Sequence, residues 1–242
     1  MVGLPLCSCP KVSLQYKLMA SNSSLRVQRR WPAFMATKLT YFPAEVRKRS
    51  FSNLPRLLAF PIAKALMPDS PLAELSAALS ASAPPAIALQ HALDLVGPHL
   101  RADRCFLYVR DPAHGRGRIA FVWRLDEAVP DPRHDWQDDT GDLPKTDPLF
   151  RAALAAQPSV FVDDVTEAGP DILNQEFERS TFGHRALVHA HITDQGQLWG
   201  ILQPCVFGHP RHWTAAERDY LNAATQLFLP VIQEYMRSLG KV

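Results

Sequence analysis

The residues best equipped for chemistry in this chain are His189, His191 and Cys205, which sit on two apolar stretches separated by a short polar one. All three are zinc-ligand types, and on a hairpin they would share one face. The spacing argues against a single ion. With the turn centred on Gln195, His189 stands opposite Ile201, four residues from Cys205, and at about 3.3 Å per residue that is roughly 13 Å. Zinc bonds are roughly 2 Å long, so no metal site is expected. Thiol redox chemistry needs an attacking thiolate and a resolving partner. Of Cys7, Cys9, Cys105 and Cys205, only the last two fall where the chain reads as globular, and they read as buried structural thiols. Ser180, His184 and Asp163 supply nucleophile and base types without a nucleophile elbow or a phosphate-cradling glycine loop. The chain is therefore read as non-catalytic. His189, Gln203 and Cys205, set among apolar neighbours, have the mix of a small-molecule pocket.

Those residues need a scaffold, and the 242-residue chain is nearly half apolar, enough for one domain and its tails. Its net charge of +2 hides an asymmetry: residues 1–66 carry +10 and the remainder −8. Residues 1–67 read as a basic, disordered leader or extension. The alternatives are an organelle transit peptide, an upstream extension with the true start at Met19 or Met35, and a basic arm for nucleic acid or anionic lipid. Nucleic acid is not the expected partner. Scattered cysteines without a CxxC pair indicate a reducing, cytoplasmic setting, or an organelle if the leader is a transit peptide. No apolar run approaches the roughly 20 residues of a membrane span.

Residues 68–85 read as a short helix and linker, and 86–238 as the globular domain. Ile87, His91, Leu95 and Val96 suggest a first helix. Strands follow at 104–110 and 118–124, then a polar connection over 125–146 of the kind that forms a lid or stays mobile. A short helix is expected at 148–156, a strand at 159–162 and a loose helix at 171–180. Strands at 185–192 and 198–206 close the sheet. Thr214 and Glu217 form a capping box for a last helix with Leu221, Ala224, Phe228, Ile232, Tyr235 and Leu239 on one stripe, kinked at Pro230.

If Ile192 faces Leu198, one face of the last hairpin is apolar throughout: Ala186, Val188, Ala190, Ile192, Leu198, Gly200 and Leu202. That face belongs against helices. The other, with Leu187, His189, His191, Trp199, Ile201, Gln203 and Cys205, is a pocket wall or a solvated face.

This order of elements, with four motifs, resembles a GAF domain, and more narrowly those of phytochromes and cyanobacteriochromes. The motifs are Asp103-Arg104 with Tyr108, then Val162-Asp163-Asp164-Val165, then Leu198-Trp199-Gly200-Ile201-Leu202, then Pro210-Arg211-His212-Trp213. The resemblance covers about residues 86–236. It implies an α+β fold: a central antiparallel sheet with terminal helices on one face and a ligand pocket on the other. It also implies that Tyr108 is a pocket tyrosine and that Asp163 and Asp164 precede the chromophore loop. The chain departs from the pattern where 169–178 lacks the bilin-attaching cysteine, and where Cys205 stands in place of the family's pocket histidine. Covalent bilin is thus not expected and the ligand is left open. The expected role is sensory: an unidentified small molecule bound by Tyr108, Asp163, Asp164, His189, Ile201, Gln203 and Cys205, with the signal passed through the terminal helices, a homodimer or a separate output protein. The alternative is a ligand-free interaction module.

Overall fold

The computed structural model describes residues 70–139 and 141–240; the leader expected over 1–67 lies outside them. Six strands form one antiparallel sheet in the order β3-β2-β1-β6-β5-β4. They are β1 (Arg104–Asp111), β2 (Arg116–Arg124), β3 (Gln137–Asp138), β4 (Val160–Val162), β5 (Ala186–Asp194) and β6 (Gln197–Val206). Helices α1 (Pro71–Leu79), α2 (Pro85–His99) and α6 (Ala215–Ser238) pack together on one face. Short helices α3 (Leu143–Thr146), α4 (Pro148–Leu154) and α5 (Gln175–Thr181) belong to the segments beyond the other face. This is the α+β architecture expected from the sequence. No helix among the described residues is long and apolar enough to cross a membrane.

Helix α2 starts with proline in its first turn, where the missing N–H costs nothing. It buries Ala88, Leu89, Ala92, Leu93 and Val96. That stripe is rotated from the expected one: Ile87 is 61% exposed and His91 is also exposed. Helix α6 opens on the expected capping box, in which the Thr214 side chain accepts from the Glu217 backbone N–H and the Glu217 carboxylate accepts from the Thr214 N–H. Leu221, Ala224, Phe228, Ile232 and Tyr235 are buried along it, whereas Leu239 falls at the C-cap and is 42% exposed. The helix continues through Pro230.

The last hairpin differs from expectation in register. Gln195 (φ 48°) and Gly196 (φ 76°) form a two-residue turn between the paired residues Asp194 and Gln197, the positive-φ geometry that matches strand twist. Ile192 then lies opposite Gly200 and Thr193 opposite Leu198, leaving Trp199 as the extra residue of a bulge. The bulge reverses two positions. Leu198, expected toward the helices, packs with Phe150 and Ile201 on the other face, and Trp199 packs against the helix-side core.

Gly200 is where β6 lies against β1. A Cβ there would stand 2.7 Å from the Tyr108 carbonyl oxygen and 3.3 Å from Ile232 Cδ1. Backbone cannot retreat from such a contact as a flexible side chain can. Gly200→Ala is therefore expected to destabilise the fold by about 1–3 kcal/mol, read as a lower midpoint in urea unfolding; an unchanged midpoint would show that the strands can separate freely.

Candidate functional site

Between the other face of the sheet and the short helices beyond it lies a cavity of about 450 Å³. Its floor is a grid set by strand register. Phe106 lies opposite Gln203, and Tyr108 opposite Ile201, across β1 and β6. On the far side, the pairs Leu187↔Cys205 and Ala190↔Leu202 put His189 beside Gln203, with His191 beside Ile201. Tyr108, His189, Ile201 and Gln203, all singled out from the sequence, line this cavity.

The His189 ring has a fixed proton arrangement. His191 Nδ1 lies 2.7 Å from the Gln157 carbonyl oxygen, which can only accept, so that nitrogen carries the proton. His191 Nε2 is then the acceptor in its 2.9 Å contact with His189 Nδ1. It follows that His189 is protonated at Nδ1 and has an acceptor at Nε2. Burial, then the neighbouring His191 and His184, holds the His189 pKa well below its ordinary value and keeps the ring neutral. Beside it, Gln203 is buried, and its Nε2 has no hydrogen-bond partner among the described residues.

At the other end of the floor the Tyr108 hydroxyl donates to Asp139 at 3.2 Å. Asp139 is held in turn by Arg110, through Nε at 2.6 Å and Nη2 at 3.2 Å. Burial, followed by the Asp139 charge, raises the Tyr108 pKa, so the phenol stays protonated. The ring lies over Gly117, where a Cβ would come within 2.0 Å of the hydroxyl oxygen.

The walls come from the short helices and from the connection read in the sequence as a lid or a mobile loop. Phe150, Phe177 and Phe182 bring aromatic rings, and the 125–146 connection supplies Pro132, His134, Gln137, Asp138 and Leu143. Asp147 caps α4, accepting from the backbone N–H groups of Leu149 (3.1 Å) and Phe150 (3.3 Å). Burial and the charge of Glu178 push its pKa up to about 6. Glu178 itself is buried and lies 2.7 Å from His184 Nε2. Burial lowers the His184 pKa, but the Cys205 sulfur and the Glu178 carboxylate outweigh it and lift the value to about 9. Arg104, 1% exposed, lies beneath. It donates to the carbonyls of Pro130 and Phe182 and sits 4.9 Å from the Phe207 ring centre.

Three sequence-selected residues lie elsewhere. Asp163 is a clamp: its carboxylate contacts His212 Nδ1 at 2.7 Å and accepts from the Trp213 backbone N–H at 3.3 Å. The buried Trp213 indole N–H donates to the Val162 carbonyl. Asp164 accepts from Arg185 through Nε (2.6 Å) and Nη2 (2.8 Å) and from Thr166; Arg185 above all holds its pKa well below the usual carboxylate range. Cys205 packs with Leu149, Val162 and Leu187, and its thiol donates to the Arg104 carbonyl. The true register also puts Cys205 two residues from Gln203, the partner of His189, and not four from it. Among the described residues no group of three or more His, Cys, Asp or Glu could hold a metal ion.

Residues 85–228 match the GAF domain family. No curated protein matches the chain. Among solved structures, it is similar to the chromophore-binding domain of an unusual bacteriophytochrome, RpBphP3 from R. palustris, with 16% identity and a TM-score of 0.53, over 70% of this chain and 61% of that one. The chain thus spans under two thirds of that protein's length. The phycoerythrobilin-bound GAF domain from a cyanobacterial phytochrome is similar at 17% identity and a TM-score of 0.56, over 72% and 97%. Free methionine-R-sulfoxide reductase from Neisseria meningitidis, in complex with its substrate, is similar at 13% identity and a TM-score of 0.52, over 72% and 93%. At these identities the likeness is one of fold.

The buried pair gives a pH signature. The folded-state pKa of His184, about 9, lies above its ordinary 6.5. Its stabilising contribution is therefore fully present below about pH 6.5 and is lost as the pH rises through 9. Denaturant unfolding across that window should show a loss on the order of 2–3 kcal/mol, and His184→Gln should flatten it. A wild-type curve level from pH 6.5 to 9 would refute the assignment.

Proposed function

Since this chain belongs to the GAF family, we propose that it is a non-catalytic sensory or regulatory domain, acting in the cytoplasm, whose cavity binds a small molecule. Gln203 carries the reading. A buried amide nitrogen with no partner costs on the order of 1–3 kcal/mol, and here it lines a cavity beside a neutral histidine whose acceptor nitrogen is spoken for by no residue described. A bound molecule would satisfy both. Tyr108, His189, Ile201 and Gln203 form the proposed ligand-contacting floor; Asp163, Asp164 and Cys205 are assigned to holding the scaffold.

The placement of the thiols supports a binding role over thiol catalysis. Cys105 is buried toward the helices, where burial raises its pKa and suppresses the thiolate. Cys205 is buried away from the cavity, and among the described residues no cysteine lines it. The same placement speaks against a covalently held bilin.

Occupancy has a route to the helices. Tyr108 belongs to the floor, its carbonyl abuts Gly200, and Gly200 abuts Ile232 of α6. A ligand that moves β1 at Tyr108 therefore moves the surface on which α6 rests. We assign the output to the α1–α2–α6 layer, acting on a separate protein or on a second copy of the chain.

A thermal-shift screen of the full chain against neutral, cationic and anionic small molecules tests the reading. At least one class is expected to raise the melting temperature, and Gln203→Leu is expected to weaken that ligand about tenfold, a loss near 1.4 kcal/mol. If no class shifts the midpoint, the cavity is not a binding site and a ligand-free interaction module takes its place.

A further inference from the structure

Charge and aromaticity in the cavity wall narrow the ligand class, on the premise that the cavity binds a small molecule. We propose that it takes a cation: an apolar, aromatic body bearing a protonated nitrogen, with the nitrogen toward Asp147.

The lining supports this in three independent ways. Its charged side chains are the carboxylates of Asp138, Asp147 and Glu178; among the described lining residues there is no lysine or arginine. An anionic ligand entering such a wall would lose its hydration and gain no ion pair. The rings of Phe106, Tyr108, Phe150, Phe177 and Phe182 supply the faces, and aromatic faces attract cations through their quadrupoles. Finally, Gln203 Nε2 and His189 Nε2 offer one unused donor beside one unused acceptor, so the body of the ligand can be polar at one edge without being charged there.

Asp147 is the carboxylate available to a cation. Asp138 lies on the exposed strand β3, where water already solvates it, and Glu178 is committed to His184. Among the described residues, Asp147 accepts only from the backbone N–H groups of Leu149 and Phe150. The charges that act on it are Glu178 from α5, itself paired with His184, and Arg151 on its own helix, while His134 and Asp138 from the segment before α3 line the same cavity. Glu178 opposes ionisation of Asp147, and Arg151 is the weakest of the influences on it. A buried carboxylate with no close cation is held at a cost, and a cationic ligand removes that cost by pairing with it.

The coupling has a sign. Asp147 must be ionised to pair, and its pKa is pushed up to about 6. A cation should therefore bind tightly above that pH, with affinity falling as Asp147 takes up a proton, by about tenfold for each unit below it.

Calorimetric titration of the full chain with tryptamine, tryptophol and indole-3-acetate tests this, since the three share a ring body and differ in charge. At about pH 7.5, tryptamine is expected to bind at least about tenfold more tightly than tryptophol, and indole-3-acetate not measurably. At about pH 5 the tryptamine affinity should drop about tenfold while the tryptophol affinity holds. Asp147→Asn keeps the cap acceptor, removes the charge, and should bring tryptamine and tryptophol to the same affinity. Equal binding of all three, preference for the acid, or no binding of tryptamine overturns the proposal. The broader binding reading survives any of these if the thermal-shift screen finds a neutral or anionic ligand, and falls only if that screen finds none.

Discussion

A strand paired on both edges and buried on both faces has to meet four demands at once, and β6 is such a strand. Its edges bond to β1 and β5. Leu202 points to the helices and Ile201 and Gln203 to the cavity. Side chains alternate strictly along a strand, so neither face can be changed without a shift of register that would exchange them. The Trp199 bulge is the single local exception. It brings Leu198 to the cavity side beside Phe150 while leaving Gly200 against α6. The cavity floor and the seat of the last helix are thus two readings of the same few residues.

Much of this was legible in the sequence because it rests on local chemistry. The capping box at Thr214 and Glu217, the apolar alternation of β5, and the motifs at 198–202 and 210–213 each point to their element. The hairpin register was not, because Gln195 reaches positive φ without being glycine and a bulge has no sequence signature. The partners of Asp163 and Asp164 were not legible either, because two acids in sequence carry no mark of them: they are Trp213 and Arg185 in distant segments. Asp147, Glu178 and His184 were missed as a set for the same reason. Each sits in a short helix or loop whose placement is decided by packing.

The polar interior divides by partner. Arg104 is covered by carbonyls and aromatic rings, and Tyr108 is bound to an already neutralised carboxylate. Such groups specify the packing: the Tyr108 hydroxyl proton is committed even where its ring faces the cavity, and the Arg104 Nε, without a partner among the described residues, lies off the cavity lining. Gln203 and Asp147 have capacity left for a ligand, and both line the cavity. A place on the cavity wall, and not the lack of a partner alone, therefore marks the groups open to a ligand, since buried atoms of Arg104, Arg116, Arg118 and Trp199 also have no partner among the described residues.

The order of the strands also bears on how the chain acquires its shape. The β5–β6 turn brings neighbours together over a two-residue loop, and the β1–β2 hairpin is nearly as local. Pairing of β1 with β6 joins residues about a hundred positions apart, as Arg104 with Cys205. Closure entropy grows with the length of the loop being closed, and non-local pairings slow folding. The two hairpins are thus expected to form as separate units that meet late. The row from Phe106 through Gln203 to His189 spans their junction, so the floor of the cavity comes into existence only when that longest-range pairing closes.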